Sequence, residues 1–174
     1  MESLVASVEA VLITGVFGSG KSSVAVEIAD VLEKQDIPYA LLDLGFLAWF
    51  HTGSDDETAE HRMRLTNLAP IVGNYLAAGV RLFILAGAIG NGSELEDLRA
   101  RLPVPLKVVR LIVPLEEIEK RLRSDVTTGR QDDLREAGAW VAASKGVGIE
   151  DLTVSNDRPI RQVAVEILDW LGWK

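Results

Sequence analysis

The residues best suited to chemistry in this chain of 174 residues lie at positions 15–22, which read GVFGSGKS. They match the pattern GxxxxGK[ST] at every fixed position. Glycines let backbone N–H groups turn inward around phosphate oxygens, the lysine neutralises charge on the β- and γ-phosphates, and the serine hydroxyl can ligate Mg²⁺. The pattern therefore predicts a loop that binds the phosphates of a nucleoside triphosphate, with Lys21 and Ser22 in those two roles.

The segments on either side of this loop agree with that chemistry. An apolar, β-rich run at 10–14 precedes the loop, and a segment with helical spacing follows it at 21–35. A helix that begins at the loop directs its N-terminus, with a favourable dipole, at the phosphates. The residues predicted to contact the nucleotide are Gly15, Gly18, Ser19, Gly20, Lys21, Ser22 and Ser23.

Apolar runs alternate with longer segments of helical period along the whole chain. Strands are predicted at 10–14, 39–43, 81–86, 106–113 and 152–155, and helices at 21–35, 55–78, 94–102, 114–124, 132–145 and from 159 onwards. Within these helices, Pro70 predicts a break or kink and Ser93 predicts an N-cap. The alternation is typical of helices packed on a parallel sheet, so we expect an α/β fold in one domain.

Asp43 ends the second predicted strand. In open α/β sheets, ligands bind beside the carboxyl ends of the strands, which places this carboxylate near the phosphate-binding loop. One interpretation is a role in binding metal or acceptor. The other is a helix cap or a solvated loop acid.

The loop, its flanks and Asp43 together resemble the small P-loop kinases of the shikimate, gluconate, adenylylsulfate and chloramphenicol phosphotransferase type. The resemblance covers nearly the whole chain. It implies a three-layer α/β/α fold with a five-stranded parallel sheet in the order 2-3-1-4-5. It also implies a single domain over 1–174, with an acceptor-binding region at about 46–78 and a short lid at about 124–131.

The same resemblance assigns Asp43 a role in holding Mg²⁺ through water, in binding the acceptor, or in taking its hydroxyl proton. Ser22 and Asp43 are therefore the predicted metal residues. Several of these kinases carry Asp-x-Asp here, whereas this chain has Gly45 at the second position. The third strand is followed by a glycine-rich segment at 86–91, similar to the substrate-lining glycine loop of shikimate kinase, and by no acid at the strand end.

Arginines near the predicted lid could stabilise the charge of the transferred phosphoryl group. By resemblance, Arg123 and Arg130 join Lys21 and Asp43 as predicted catalytic residues, and Arg121 is close to them in sequence. Basic residues late in a helix also complement its dipole, which is the alternative for Arg121 and Arg123.

Two further regions are predicted to bind ligand. By resemblance, Arg158 and Pro159 line the adenine of ATP, although an ordinary turn before a helix has the same composition. The acceptor-binding region offers several side chains, none of which forms a specific motif: Phe46, Trp49, His51, Arg62, Arg64 and Asn67.

Composition narrows the classes of partner. A net charge of −8 provides no broad basic field for nucleic acid, and the absence of cysteine excludes disulfides and thiolate metal sites. No apolar run approaches the roughly 20 residues that span a bilayer, and the N-terminal segment lacks a basic region ahead of its apolar stretch. We therefore expect no nucleic-acid or membrane partner and a cytoplasmic location.

The sequence thus predicts an ATP-dependent phosphotransferase that uses Mg²⁺ and acts on a small-molecule acceptor. The alternative is a P-loop protein that binds or slowly hydrolyses a nucleotide in a regulatory or structural role. The chain contains no Asn-Lys-x-Asp, which on the resemblance favours ATP over GTP. No motif identifies the acceptor or the oligomeric state.

Overall fold

The five apolar runs form one parallel sheet. The computed structural model describes residues 7–53, 57–124 and 130–173. Its strands stand in the order β2-β3-β1-β4-β5, and all four pairings are parallel. They are β1 (Glu9–Thr14), β2 (Tyr39–Asp43), β3 (Leu82–Ala86), β4 (Leu106–Ile112) and β5 (Leu152–Ser155). The predicted fold class and strand order are confirmed.

The register of the sheet brings the candidate residues to one edge. Ala86, the last residue of β3, pairs with Ile13 on one side and with Asp43 on the other. Thr14 pairs with Arg110 of β4. Parallel strands all end at the same edge of a sheet. The loop after β1, which is called the phosphate-binding loop below after its predicted role, therefore lies at the same edge as Asp43 and the glycine-rich segment after β3.

Helices cover both faces of the sheet. They are α1 (Lys21–Lys34), α2 (Glu57–Ala77), α3 (Gly92–Arg101), α4 (Leu115–Ser124), α5 (Arg130–Ala142) and α6 (Ile160–Leu171). Successive residues of β1 point to opposite layers, as strand geometry requires. Val11 and Ile13 pack with buried residues of α1 and α6, whereas Ala10 and Leu12 pack with those of α2 and α3.

A smaller apolar cluster holds α4 and α5 against the phosphate-binding loop. Val16 of the loop is buried with Ile118 and Leu122 of α4 and with Ala137 of α5. Gly18 lies so close that an added Cβ would be 3.0 Å from the Ile118 side chain. The two helices that flank the predicted lid therefore pack directly on the loop.

One local prediction was wrong in part and another was wrong. Helix α2 continues through Pro70, so the break predicted there does not occur, and the kink given as its alternative stays a prediction. Leu68 and Val72, on either side of the proline, are fully buried, and this burial outweighs the backbone hydrogen bond that proline cannot donate. The N-cap of α3 is Asn91 rather than Ser93, because the Asn91 side chain accepts a hydrogen bond from the Glu94 N–H at 3.0 Å.

None of the helices in the described ranges is long and apolar enough to cross a bilayer.

Candidate active site

Glycine is required at three points of the loop between β1 and α1. Gly15, Gly18 and Gly20 have φ values of 147°, 77° and 91°, in the region that other residues adopt only with strain. A Cβ on Gly15 would lie 2.8 Å from the Leu111 carbonyl oxygen. On Gly20 it would lie 2.5 Å from Nδ2 of Asn156. The loop therefore keeps its conformation, and its close packing, only with glycine at these positions.

Lys21 begins α1 and directs its ammonium back along the loop. Nζ donates a hydrogen bond to the Val16 carbonyl oxygen at 3.0 Å and lies 5.3 Å from the centre of the Phe17 ring. The positive charge is thus held beside the backbone turn that the glycines create. Phosphate oxygens bound in this turn would meet both the N-terminus of α1 and the ammonium.

The next residue links the loop to β2. The Ser22 hydroxyl donates a hydrogen bond to Oδ2 of Asp43 at 2.7 Å. The other carboxylate oxygen, Oδ1, accepts the backbone N–H of Gly45 at 2.9 Å, which fixes the orientation of the carboxylate. Mg²⁺ is held in nucleotide sites by one or two protein oxygens together with substrate phosphates. The hydroxyl, the carboxylate and the glycine cradle fit Mg·ATP in this respect.

The fold is that of the small P-loop kinases. A sugar kinase from Janibacter sp. HTCC2649 superposes with a TM-score of 0.70 at 20% identity, covering 95% of each chain. The APS kinase of Mycobacterium tuberculosis, solved with AMPPNP and APS, gives 0.64 at 22% identity and covers 94% of this chain and 97% of its own. A gluconokinase from Sinorhizobium meliloti 1021 gives 0.63 at 18% identity, covering 95% of this chain and 92% of its own. Neither a protein-family model nor a curated protein sequence matches the chain.

Asn156 is a site residue that the sequence analysis missed. Its side chain is buried, and Nδ2 donates a hydrogen bond to the Ser19 carbonyl oxygen at 2.7 Å. The backbone carbonyl oxygen of Asn156 accepts a hydrogen bond from Nη2 of Arg121 at 2.7 Å. Arg121 in turn donates through Nε to Glu117 at 3.1 Å. A continuous path of hydrogen bonds therefore joins the phosphate-binding loop, the end of β5 and helix α4.

The described arginines of α4 lie in different surroundings. Nη1 of Arg121 is 3.8 Å from the position that a Cβ on Gly20 would take, so this guanidinium lies beside the loop. Arg123 is 71% exposed and forms an ion pair with Glu119 at 3.3 Å. The structure thus brings Arg121, rather than Arg123, to the loop. The catalytic role of Arg123 stays a prediction. Arg130 begins α5, but its side chain and residues 125–129 of the predicted lid lie outside the described residues.

The residues predicted to line adenine lie at the start of α6. Pro159 is its N-cap, and Arg158 forms an ion pair with Glu166 of the same helix. Both are exposed. Asp157, just before them, lines an open depression together with Lys120 and Arg123 of α4. Arg158 and Pro159 do not line this depression, and their base-binding role stays a prediction.

The glycine-rich segment after β3 is tied to the phosphate-binding loop. Thr14, which is buried, accepts a hydrogen bond from the Ile89 N–H at 3.1 Å through its hydroxyl. The carbonyl oxygen of Gly90 accepts the N–H of Gly146 at 2.8 Å, and an added Cβ on Gly90 would be 3.4 Å from Trp140. The segment is therefore fixed between β1 and the residues that follow α5.

The candidate acceptor residues divide into two groups. Phe46 begins a short 3₁₀ turn, Phe46–Ala48, that follows β2, and Trp49 comes directly after this turn. The centres of the two rings are 5.3 Å apart. Asn67 of α2 donates a hydrogen bond to the Leu47 carbonyl oxygen of this turn at 2.7 Å. This group adjoins the Ser22–Asp43 contact.

The remaining candidates have other surroundings. Both His51 and Arg62 are exposed. Nε of Arg64 is buried without a hydrogen-bond partner within the described ranges. Because Arg64 is one helical turn before Asn67, it lies on the same side of α2. Its role in binding an acceptor stays a prediction.

Proposed function

We propose that this protein is an ATP-dependent kinase that transfers the γ-phosphoryl group of Mg·ATP to a hydroxyl group of a small molecule. The observation that carries the proposal is the hydrogen bond between Ser22 and Asp43. It places the hydroxyl of the phosphate-binding motif and a strand-end carboxylate at one point. A kinase needs the phosphate, the metal and the acceptor to meet at such a point.

The residues of the chain supply position and charge. Backbone N–H groups of the loop and the Lys21 ammonium bind the phosphate oxygens, and the ammonium offsets negative charge as it moves towards the β–γ bridging oxygen. Ser22 and Asp43 would hold Mg²⁺, which supplies further charge neutralisation when it is bound. Arg121 lies where it can stabilise the loop through Asn156.

Asp43 is also the group that receives the acceptor hydroxyl. Its carboxylate orients the hydroxyl by accepting its hydrogen bond. As the oxygen attacks, a new bond forms between this oxygen and the γ-phosphorus, and the bond from that phosphorus to the β–γ bridging oxygen breaks. The hydroxyl proton passes to the Asp43 carboxylate and then to solvent. The products are ADP and the phosphorylated acceptor.

The test is ADP release from Mg·ATP across a panel of small hydroxyl compounds. Release that depends on the acceptor, and that Asp43→Asn lowers by about 100-fold or more, supports the proposal, because general acid–base groups contribute roughly that factor. Asp36→Asn is the matched control. Asp36 is exposed with φ 57°, a conformation that asparagine tolerates, so this variant should keep full activity.

A nucleotide-binding protein without transfer is the second candidate. It is favoured by the residues that follow Asp43, because Gly45 provides no second carboxylate for an acceptor. Tight binding of ATP, with no acceptor-dependent ADP release and no difference between wild type and Asp43→Asn, would establish this candidate instead.

A further inference from the structure

Two aromatic rings stand exposed beside the proposed transfer site. Phe46 is 66% exposed and Trp49 is 80% exposed. Their ring planes are inclined at 32° and their centres are 5.3 Å apart, so the rings contact each other while each leaves much of its surface to solvent. Exposed apolar surface of this kind on a folded protein commonly marks a place where a ligand or partner binds.

The turn that carries these rings is held at several points. The Asp43 carboxylate accepts the Gly45 N–H at its start, and Asn67 binds the Leu47 carbonyl oxygen in its middle. Ala48 is buried beneath it. The rings therefore project from a fixed backbone, and a ligand that contacts them does not have to order the turn first.

The distance from Asp43 limits what could contact both groups. Phe46 is three positions after Asp43, so their Cα atoms are at most about 11 Å apart. A molecule with a single ring and a hydroxyl arm can span that distance. The acceptor in the proposed transfer would thus reach the carboxylate with its hydroxyl while its body lies on the rings.

The residues of the turn indicate which chemical group of the acceptor would lie on the two rings. Residues 44–53 contain no Lys, Arg, Asp or Glu. An uncharged surface with two exposed aromatic faces offers stacking, which flat unsaturated rings make best and open-chain polyols make poorly.

We propose that Phe46 and Trp49 form the surface on which the phosphoryl acceptor stacks, and that this acceptor carries a flat unsaturated ring beside its hydroxyl, as a nucleoside or an aromatic alcohol glycoside does. That the stacked ligand is the phosphoryl acceptor rests on the proposed kinase function. That a ligand with a flat ring binds to Phe46 and Trp49 does not depend on it.

Pairs of compounds that share hydroxyls and differ in one ring test this directly. Uridine is compared with ribose, and phenyl β-glucoside with methyl β-glucoside, at saturating Mg·ATP. We expect the ring-bearing member of at least one pair to have a KM lower by about tenfold or more, the range that stacking on an aromatic side chain provides. The pair that shows the difference distinguishes a nucleoside from an aryl compound.

Three variants assign the effect. Phe46→Ala and Trp49→Ala should each raise the KM of the ring-bearing compound by about tenfold and leave the KM of ATP unchanged. Trp170→Ala is the matched control, because Trp170 is also an exposed tryptophan, 38% accessible, but lies on α6 over Lys107. It should change neither constant.

Binding without turnover separates this inference from the proposed function. Ligand-observed NMR with uridine and phenyl β-glucoside reports binding whether or not ADP forms. Binding that Phe46→Ala abolishes, with no ADP release for any compound, would keep the stacking surface and refute the kinase. Equal KM values within both pairs, unaffected by Phe46→Ala, would refute the stacking surface and keep the kinase. The inference would also be overturned if neither uridine nor phenyl β-glucoside binds by NMR. The same holds if Phe46→Ala and Trp49→Ala change the oligomeric state of the protein and leave the binding of both compounds unchanged.

Discussion

The hydrogen bond from Asn156 to the phosphate-binding loop offers the sharpest test of how this site is built. Asn156→Ala removes the donor from the Ser19 carbonyl oxygen, and Ser19 is fully buried in the wild-type chain. A buried acceptor left without its partner costs about 1–3 kcal/mol. For a chain of this length, a loss of about 2 kcal/mol lowers the unfolding temperature by about 4–8 °C.

The same substitution should weaken nucleotide binding. Ser19 lies within the loop, so the bond also fixes the backbone whose N–H groups would bind phosphate. We expect the Kd of a non-hydrolysable ATP analogue to rise by about fivefold, because about half of the lost free energy, about 1 kcal/mol, then appears in binding. Circular dichroism melting measures the stability, and isothermal titration calorimetry measures the Kd.

Two variants show whether the hydrogen bond, rather than packing, is responsible. Asn156→Asp keeps the shape of the side chain but replaces the donor with an oxygen 2.7 Å from a carbonyl oxygen, so it should destabilise at least as much as alanine. Asn74→Ala, on an exposed face of α2, should change neither quantity. If Asn156→Asp melts at the wild-type temperature and binds the analogue as tightly, the reasoning about this bond is refuted.

Three other predictions follow from the site and its surroundings. Gly20→Ala forces a Cβ to 2.5 Å from Asn156 at φ 91°, so we expect a loss of at least about 1–2 kcal/mol in a urea titration, together with loss of nucleotide binding; a stable variant that binds would contradict this. Lys21→Ala should abolish detectable ADP release and raise the Kd of the ATP analogue, while the unfolding temperature stays close to that of the wild type. Retention of ADP release in this variant would show that the lysine is not part of the site. Burial tends to raise the pKa of Glu150, but hydrogen bonds and the Arg110 ion pair at 2.9 Å outweigh it and hold the pKa below 4.5. The stability from this pair is therefore present above pH 4.5 and lost as the pH falls through the lowered pKa, and Glu150→Gln should remove that part of the acid dependence in urea titrations at pH 7 and pH 3.

The local pattern of the chain predicted the sheet because each strand is an apolar run with turn residues at its ends. The P-loop motif was read from the residues themselves, and the order of strands came from the resemblance that the motif supports. The same resemblance gave Ser22 and Asp43 their metal roles, which stay predictions beside the hydrogen bond that joins the two side chains. Asn156 was passed over because its partner, Ser19, is 137 residues away in sequence, and nothing local to an asparagine at a strand end indicates that contact.

Helix phase explains why Arg121, and not Arg123, faces the loop. The two residues are two positions apart, which places them about 200° apart around a helix of 3.6 residues per turn. Ile118 and Leu122 of α4 are buried against Val16, and this fixes which side of the helix meets the loop. Arg121 is three residues after Ile118 and so lies on the side of α4 that meets the loop, where it reaches Asn156, whereas Arg123 lies on the exposed side with Glu119. Charge alone cannot distinguish these arginines, but the positions of the apolar residues around them can.

Asp43 has two structural tasks that make the choice of variant decisive. One oxygen accepts from Ser22 on the phosphate side, and the other accepts from Gly45 in the turn that carries the aromatic rings. Asp43→Ala would release both contacts, so a loss of activity in that variant could come from a displaced turn. Asp43→Asn retains an oxygen acceptor for Gly45 while removing the negative charge. If phosphoryl transfer falls in Asp43→Asn while the ring-bearing compounds still bind, then the negative charge of the carboxylate acts in transfer. The hydrogen bond from Gly45 to the other oxygen then keeps the turn in the conformation that binds the acceptor.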